Sequence, residues 1–358
     1  MIPTNCYLNR EPGTATGTSP ASPWSWMLLA AWVLAAPVLA DTDGAEHGLE
    51  AFDQPWPEQH FEFKSQGQDL TMSWMLAEPD GEAANGRTAL LLHGKNFCAA
   101  YWESTARHLT EAGYRVIMPE QVGFCRSSLP ERYQFSFHQL VANTARLLDD
   151  QGIDQVDVIG HSMGGMMGVR MALLEPERVD RLVLVNPIGL EDWLAEGVPY
   201  PGIDALHAGQ KAQDADRIRK YQKESYYDGD WNEEYAYWAG MLATTYEGPR
   251  GDRVAWNHAL TADMVLTQPV VHEFGRLETP TTLIIGLRDR TAIGRDQAEP
   301  EVAEALGNYP ELGRRAAEAM PRAELIELDD VGHMPQFEAP ERYLEALDAA
   351  LDLEDYNP

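Results

Sequence analysis

Apolar and polar positions along this chain repeat with two different periods, and each change of period marks an element. The segments "HFEFKS" and "LTMSWMLAEP" alternate residue by residue on either side of Gln66-Gly67-Gln68, the pattern of a hairpin. "TALLLHG", residues 88–94, is instead apolar without interruption, as expected of a short strand covered on both faces. Further strands are expected at "YRVIMPE", "QVDVIG", "VDRLVLVNP", "TTLIIG" (residues 281–286) and "AELIELDD" (residues 323–330). Helical stretches fall between them. "AYWESTARHLTEAG" stops at Gly113, "SFHQLVANTARLLDDQG" ends at Gly152, "SMGGMMGVRMALLEP" is closed by Pro176, and a last helix starts at about Glu341. Strands alternating with helices predict an α/β fold with a mostly parallel sheet covered on both faces. The leading hairpin adds an antiparallel edge.

The alternation breaks between Pro187 and Leu277, where strand-like runs are absent and Trp, Tyr and charged residues are frequent. Trp231, Tyr235, Trp238 and Leu242 are spaced to share one helical face. The stretch reads as a helical cap inserted after the sixth core strand. Most of its aromatic residues are expected to pack within the cap, and some to face what lies beneath. A second insertion, residues 291–321, reads as a loop followed by a helix. The expected layout is a signal peptide over 1–40, a tail over 41–59, a core over 60–189 and 278–358, and the cap over 190–277.

The signal peptide rests on "WMLLAAWVLAAPVLA", residues 26–40, an apolar run that ends in Val38-Leu39-Ala40 before Asp41. A retained anchor is the alternative, but the run is short for a membrane span. The chain is therefore expected to be exported, to a periplasm or beyond. Cys6 leaves with the signal, and Cys98 and Cys125 remain as an even pair in an oxidising compartment. Charge narrows the partners. With 27 Lys+Arg against 57 Asp+Glu, the formal net charge is −30, and such a surface repels nucleic acid and anionic membrane. Neither is expected as a partner. Solubility is the first reading of that charge, and a salty habitat the second.

The candidate chemistry centres on "DVIGHSMGGMMG", residues 157–168. Between a buried strand and a helix, Gly160-His161-Ser162-Met163-Gly164 is a G-x-S-x-G elbow. A serine that only capped the helix would need no glycine on both sides, so Ser162 reads as a nucleophile. It needs a base, and the base needs an orienting group. His333, in "LDDVGHMPQFEAPERY" after the last strand, is the expected base; His161, His93, His47 and His60 are less suitably placed. Asp289, three residues past Gly286 at a strand exit, is the expected acid, with Asp296, Asp329 and Asp330 nearby as alternatives. The end of the sixth strand, another position for an acid, holds Asn186. Backbone N–H groups of Met163 and of Lys95, in "LLLHGKNF", are expected to form the oxyanion hole. The Lys95 side chain reads as solvated, with attraction of an anionic substrate as the alternative.

On "LLLHG", "VGFCRSS", "GHSMGG", "RLVLVNP", "IIGLRD" and "VGHMPQFEAPERY", the chain from about Phe61 to Leu351 resembles the α/β-hydrolase superfamily. The resemblance is to its capped serine hydrolase branch of esterases and carbon–carbon hydrolases. It implies an eight-stranded, mostly parallel sheet flanked by helices, with an inserted helical cap. Ser162, Asp289 and His333 would converge at the C-terminal ends of the strands. These motifs are specific for fold and triad, not for substrate. A serine nucleophile argues against dehalogenases and epoxide hydrolases, and "HGKNF" lacks the extra glycines and proline of proline iminopeptidase-like members. No metal-ligand spacing appears, and no metal or cofactor is expected. Relatives commonly carry a second glycine where Cys125 stands. Because the loops after the third and fourth strands are neighbours in this fold, a Cys98–Cys125 disulfide would fasten the oxyanion loop; two unpaired thiols are the alternative. The expected activity is hydrolysis of small to medium carboxylic esters through an acyl-enzyme, in a mostly apolar pocket under the aromatic cap. Hydrolysis of a carbon–carbon bond in a dienoate, or ligand binding by a protein that retains the triad, are the alternatives. The expected partner is a small-molecule ester, and no particular oligomeric state is implied.

Overall fold

The computed structural model describes residues 48–81 and 83–353. The expected signal peptide, and the tail as far as residue 47, lie outside the described residues. None of the described helices is long and apolar enough to cross a membrane.

Strands β1 (Glu58–Ser65) and β2 (Gln68–Ala77) form the hairpin, turning through Gln66 and Gly67 at φ 49° and 75°. Two consecutive positive φ values give a turn whose twist matches that of the flanking strands. The chain continues through β3 (Thr88–Leu92), α1 (Glu103–Glu111), β4 (Arg115–Pro119), α2 (Phe137–Asp150), β5 (Val156–His161), α3 (Met163–Leu174) and β6 (Val179–Val185). Four helices follow: α4 (Ile203–Lys211), α5 (Ala215–Ser225), α6 (Glu233–Glu247) and α7 (Gly251–Thr267). The remaining elements are β7 (Thr281–Gly286), α8 (Pro300–Ala305), α9 (Tyr309–Ala319), β8 (Ala323–Leu328), α10 (Pro335–Glu338) and α11 (Pro340–Leu351).

All eight strands join one sheet in the order β1-β2-β4-β3-β5-β6-β7-β8. From β4 to β8 the pairing is parallel, and β2 meets β4 antiparallel. The apolar runs are explained by burial on both faces. Leu90, Leu92, Val158, Leu182, Leu184, Leu283 and Ile285 pack with side chains of α2, α3 and α9. Their alternating neighbours Leu91, Ile159, Val183 and Ile284 pack with those of α1 and α11.

Between β6 and β7, α4 packs on α7 and α5 on α6. Both ends of this stretch belong to the core: Trp193 and Val198 on entry, and Val270 and Phe274 on exit, are buried in the same cluster as α3 and α9. Trp231 lies outside the helix its spacing predicts. Asn232 accepts a hydrogen bond from Tyr235 N at 2.9 Å and so caps α6, which begins at Glu233, although the Trp231 ring still meets Tyr235 edge-on. The second insertion carries two helices, α8 and α9, rather than one. Each has a proline in its first turn, where a missing N–H costs nothing.

Cys98 and Cys125 are joined in a disulfide with their Cα atoms 5.7 Å apart. The bridge ties the loop after β3 to the loop after β4, and Cys125 has φ 49°, a conformation glycine adopts without strain. Closing a loop of this span, 27 residues in sequence, restricts the unfolded chain by roughly 3–4 kcal/mol. Replacing both cysteines by alanine should lower the unfolding free energy by an amount of that order. Urea titrations of the variant and of reduced wild type should agree.

Candidate active site

Ser162 joins β5 to α3 with φ 55° and ψ −119°, a strained conformation for a residue with a Cβ. Its side chain does not cap α3. The glycines around it answer to close packing. A Cβ at Gly164 would overlap the carbonyl oxygen of Leu92 in β3, and one at Gly160 would overlap the carbonyl of Gly164. Both obstacles are backbone, so neither can rotate away. Gly164→Ala should therefore cost about 3 kcal/mol or more of stability, seen as a lower urea midpoint, by forcing α3 away from β3.

The loop after β7 brings Asp289, and the loop after β8 brings His333. His333 Nδ1 and Asp289 Oδ2 are 2.6 Å apart, and both side chains are fully buried. Asp289 Oδ1 accepts a hydrogen bond from Thr291 N, and Oδ2 accepts a second from Asn186 Nδ2, both at 2.8 Å. Asn186 Oδ1 in turn accepts from Gly286 N at 3.0 Å. With both carboxylate oxygens acting as acceptors, the shared proton belongs on His333 Nδ1. Its other nitrogen, Nε2, is buried and has no hydrogen-bond partner.

The cap also holds His333. Tyr226, which follows α5, accepts the His333 N–H on its carbonyl at 2.9 Å and lays its ring on the imidazole, with centroids 4.4 Å apart. Its hydroxyl accepts from Asn96 Nδ2 at 2.8 Å. Asn186 and Tyr226 are the two supports that the sequence did not reveal. Asn186 was legible only as a residue that is not an acid. Tyr226 sits in the run "SYYDGD", where no local signal separates it from the other cap aromatics. His161 stays apart from the serine's chemistry: its ring bridges Tyr101 Oη at 3.1 Å and the His333 carbonyl at 2.9 Å. Burial, with His333 nearby, holds it well below the ordinary histidine range, so it is neutral.

The His93-Gly94 turn abuts the elbow, since a Cβ at Gly94 would stand 3.2 Å from Ser162 Cβ. His93 Nε2 accepts from Gln121 N at 3.0 Å, and burial pushes its pKa down to about 4. Lys95 follows, and its N–H makes no hydrogen bond among the described residues. Met163 N–H opens α3, where such groups lack intrahelical partners. The Lys95 side chain is less exposed than the sequence suggested. It is half-buried beside Leu242, Thr245 and His258 of the cap, and burial pushes its pKa down to about 7.

Ser162 and Lys95 line a cavity of about 660 Å³. The wall of this cavity offers more apolar than polar surface, as expected. Ile188, Ile218, Leu242 and Ile293 line it together with Tyr226, and Gln210, Gln213 and Gln222 of the cap add polar groups. Several cap aromatics are spent on one another and on the core instead. Tyr235 stacks on Tyr227 at 3.7 Å, and Trp238 on Phe337 at 5.6 Å. Among the described residues, the group with metal-ligating spacing is Cys98, Glu120 and Cys125, and its two sulfurs are bonded to each other rather than free.

Comparison with known proteins places this geometry. A family model described as alpha/beta hydrolase fold matches residues 89–340. A structure described as a probable hydrolytic enzyme from Pseudomonas aeruginosa PAO1 is 52% identical, superposes with a TM-score of 0.84, and is matched over 86% of this chain and 97% of its own. A 2-hydroxy-6-oxononadienedioate/2-hydroxy-6-oxononatrienedioate hydrolase from Burkholderia vietnamiensis is 28% identical over 73% of this chain and 86% of its own length. A 2-hydroxy-6-oxo-6-phenylhexa-2,4-dienoate hydrolase from Burkholderia cepacia is 32% identical over 35% of this chain and 45% of its own. Several further curated relatives are likewise matched over less than half of their length. With an eight-stranded sheet in this order, a glycine-flanked serine at the turn from β5 to α3 and a family match across most of the core, the chain belongs to the alpha/beta hydrolase fold family.

Proposed function

We propose that the protein is a serine hydrolase that cleaves small to medium carboxylic esters through an acyl-enzyme. One observation carries the reading: His333 is held by Asp289 through Nδ1 while its Nε2 is left without a partner, and Tyr226, which stacks on its ring, lines the same cavity as Ser162. Nε2 takes the hydroxyl proton as Ser162 Oγ bonds to the ester carbonyl carbon. The oxyanion that forms is held by the N–H groups of Lys95 and Met163. As the carbon–oxygen bond to the alcohol breaks, the imidazolium returns the proton to the leaving oxygen. Water, deprotonated by the same nitrogen, then releases the acid and frees Ser162. The cavity is of the size that encloses a small molecule rather than a polymer.

Cleavage of a carbon–carbon bond is the second reading, favoured by the names of the relatives from Burkholderia. It needs a substrate with its own electron sink, because a carbanion is a far poorer leaving group than an alkoxide. Incubation with a fluorophosphonate should modify Ser162 alone, located by peptide mass spectrometry. Parallel assays on p-nitrophenyl esters and on a 2-hydroxy-6-oxo-dienoate then separate the readings. Turnover of the dienoate with inert esters would replace the first by the second. The disulfide and the apolar run at residues 26–40 together support export to an oxidising compartment. Intact mass of secreted protein that still contained Trp26 would count against cleavage of a signal peptide.

A further inference from the structure

The charge of the cavity runs against that of the chain. The protein carries 57 acidic and 27 basic residues. The cavity is lined by five basic residues, Lys95, Arg217, Lys220, Arg290 and Arg295, and by only two acidic ones, Glu224 and Asp296. A cleft lined with one sign of charge concentrates ligands of the other.

Two polar side chains in its wall also lack partners. Lys95 Nζ makes no hydrogen bond or ion pair among the described residues, whereas Lys64 and Lys211 pair with Asp69 and Asp252 at 2.6 Å and 2.8 Å. Gln222, on α5, is fully buried, and neither end of its amide finds a partner. A buried donor without an acceptor is costly to the fold, and a bound ligand that supplies the acceptor relieves that cost. An ammonium and an amide N–H are both donors. A carboxylate can accept from both at once, with a charge-assisted bond to the ammonium, and an alkyl chain can accept from neither. Lys95 is suitably placed for this, because it lines the same cavity as Ser162 and Gln222 and follows Gly94, which packs against Ser162.

We propose that the substrate carries a carboxylate in addition to its ester, as a monoester of a dicarboxylic acid does, and that Lys95 and Gln222 hold this carboxylate while the ester lies at Ser162. The inference rests on the ester reading above. The depressed proton affinity of Lys95 agrees with it, since a partly buried ammonium without a counter-ion gives up its proton more easily and a bound carboxylate stabilises the charged form.

The test compares mono-p-nitrophenyl adipate with p-nitrophenyl hexanoate, esters of the same acyl length that differ in the distal carboxylate. Wild type should favour the adipate ester by about tenfold or more in kcat/KM, and Lys95→Met and Gln222→Leu should each erase most of that preference. The ratio of the two esters is the readout, because the Lys95 main chain is also proposed to serve the oxyanion. Preference for the hexanoate, or a ratio unchanged in both variants, overturns the proposal. Calorimetry of adipate with Ser162→Ala tests the anion site without catalysis. Binding that Lys95→Met abolishes, with no ester turned over by wild type, supports the anion site and removes the ester reading alone. Turnover of neutral esters without adipate binding or preference removes the carboxylate and leaves the ester reading in place.

Discussion

Ser162→Ala should reduce kcat/KM on any ester the protein hydrolyses by about four orders of magnitude or more. The substitution removes one oxygen and keeps the Cβ, so the strain at φ 55° is unchanged and the elbow stays formed. The lost hydroxyl makes no capping bond to α3, so little stability should be lost with it. Activity and stability are therefore expected to part company: turnover collapses while the urea midpoint stays within about 0.5 kcal/mol of wild type. Rates on a p-nitrophenyl ester, corrected for spontaneous hydrolysis and read beside an unfolding curve, check both halves. A variant that kept even a tenth of the wild-type rate would place the nucleophile elsewhere.

Asp289→Asn should lower kcat by about 10³–10⁴-fold. The carboxylate accepts three N–H groups, from Thr291, Asn186 and His333. An asparagine side chain has one acceptor oxygen to offer in its place. If that oxygen stays with Thr291 N, the new NH₂ faces Asn186 Nδ2 and His333 Nδ1. The imidazole then shifts its proton to Nε2 so that Nδ1 can accept, and the nitrogen meant to take the serine proton is already protonated. Asn186 Nδ2 is left facing another donor, which should cost about 1–3 kcal/mol of stability. Both losses are expected together, in contrast to Ser162→Ala. Single-turnover kinetics on an activated ester would show slow acylation, and a kcat within tenfold of wild type would rule out Asp289 as the orienting acid.

What the sequence determined by itself rests on short-range physics. Continuous apolar runs such as "TALLLHG" and "TTLIIG" are what a strand needs when helices cover both its faces, and β3 and β7 lie where those runs do. The glycines at 160 and 164 record a collision with backbone only a few ångströms away, so they betray a strained serine between them. Asp289 and His333 could be picked out because each follows a strand closely, and strand ends gather at one edge of a parallel sheet. The tertiary structure decided what depends on segments far apart in the chain. Asn186 and Asp289 are separated by 103 residues and touch only because β6 and β7 pair. Tyr226 reaches His333 because the chain after α5 returns over the sheet, and nothing in "SYYDGD" announces that return. The same cause explains why Lys95 is half-buried. A lysine in a turn reads as solvated, but how far Lys95 is covered depends on where α6 and α7 come to rest, a quantity set by packing and not by any single stretch of residues.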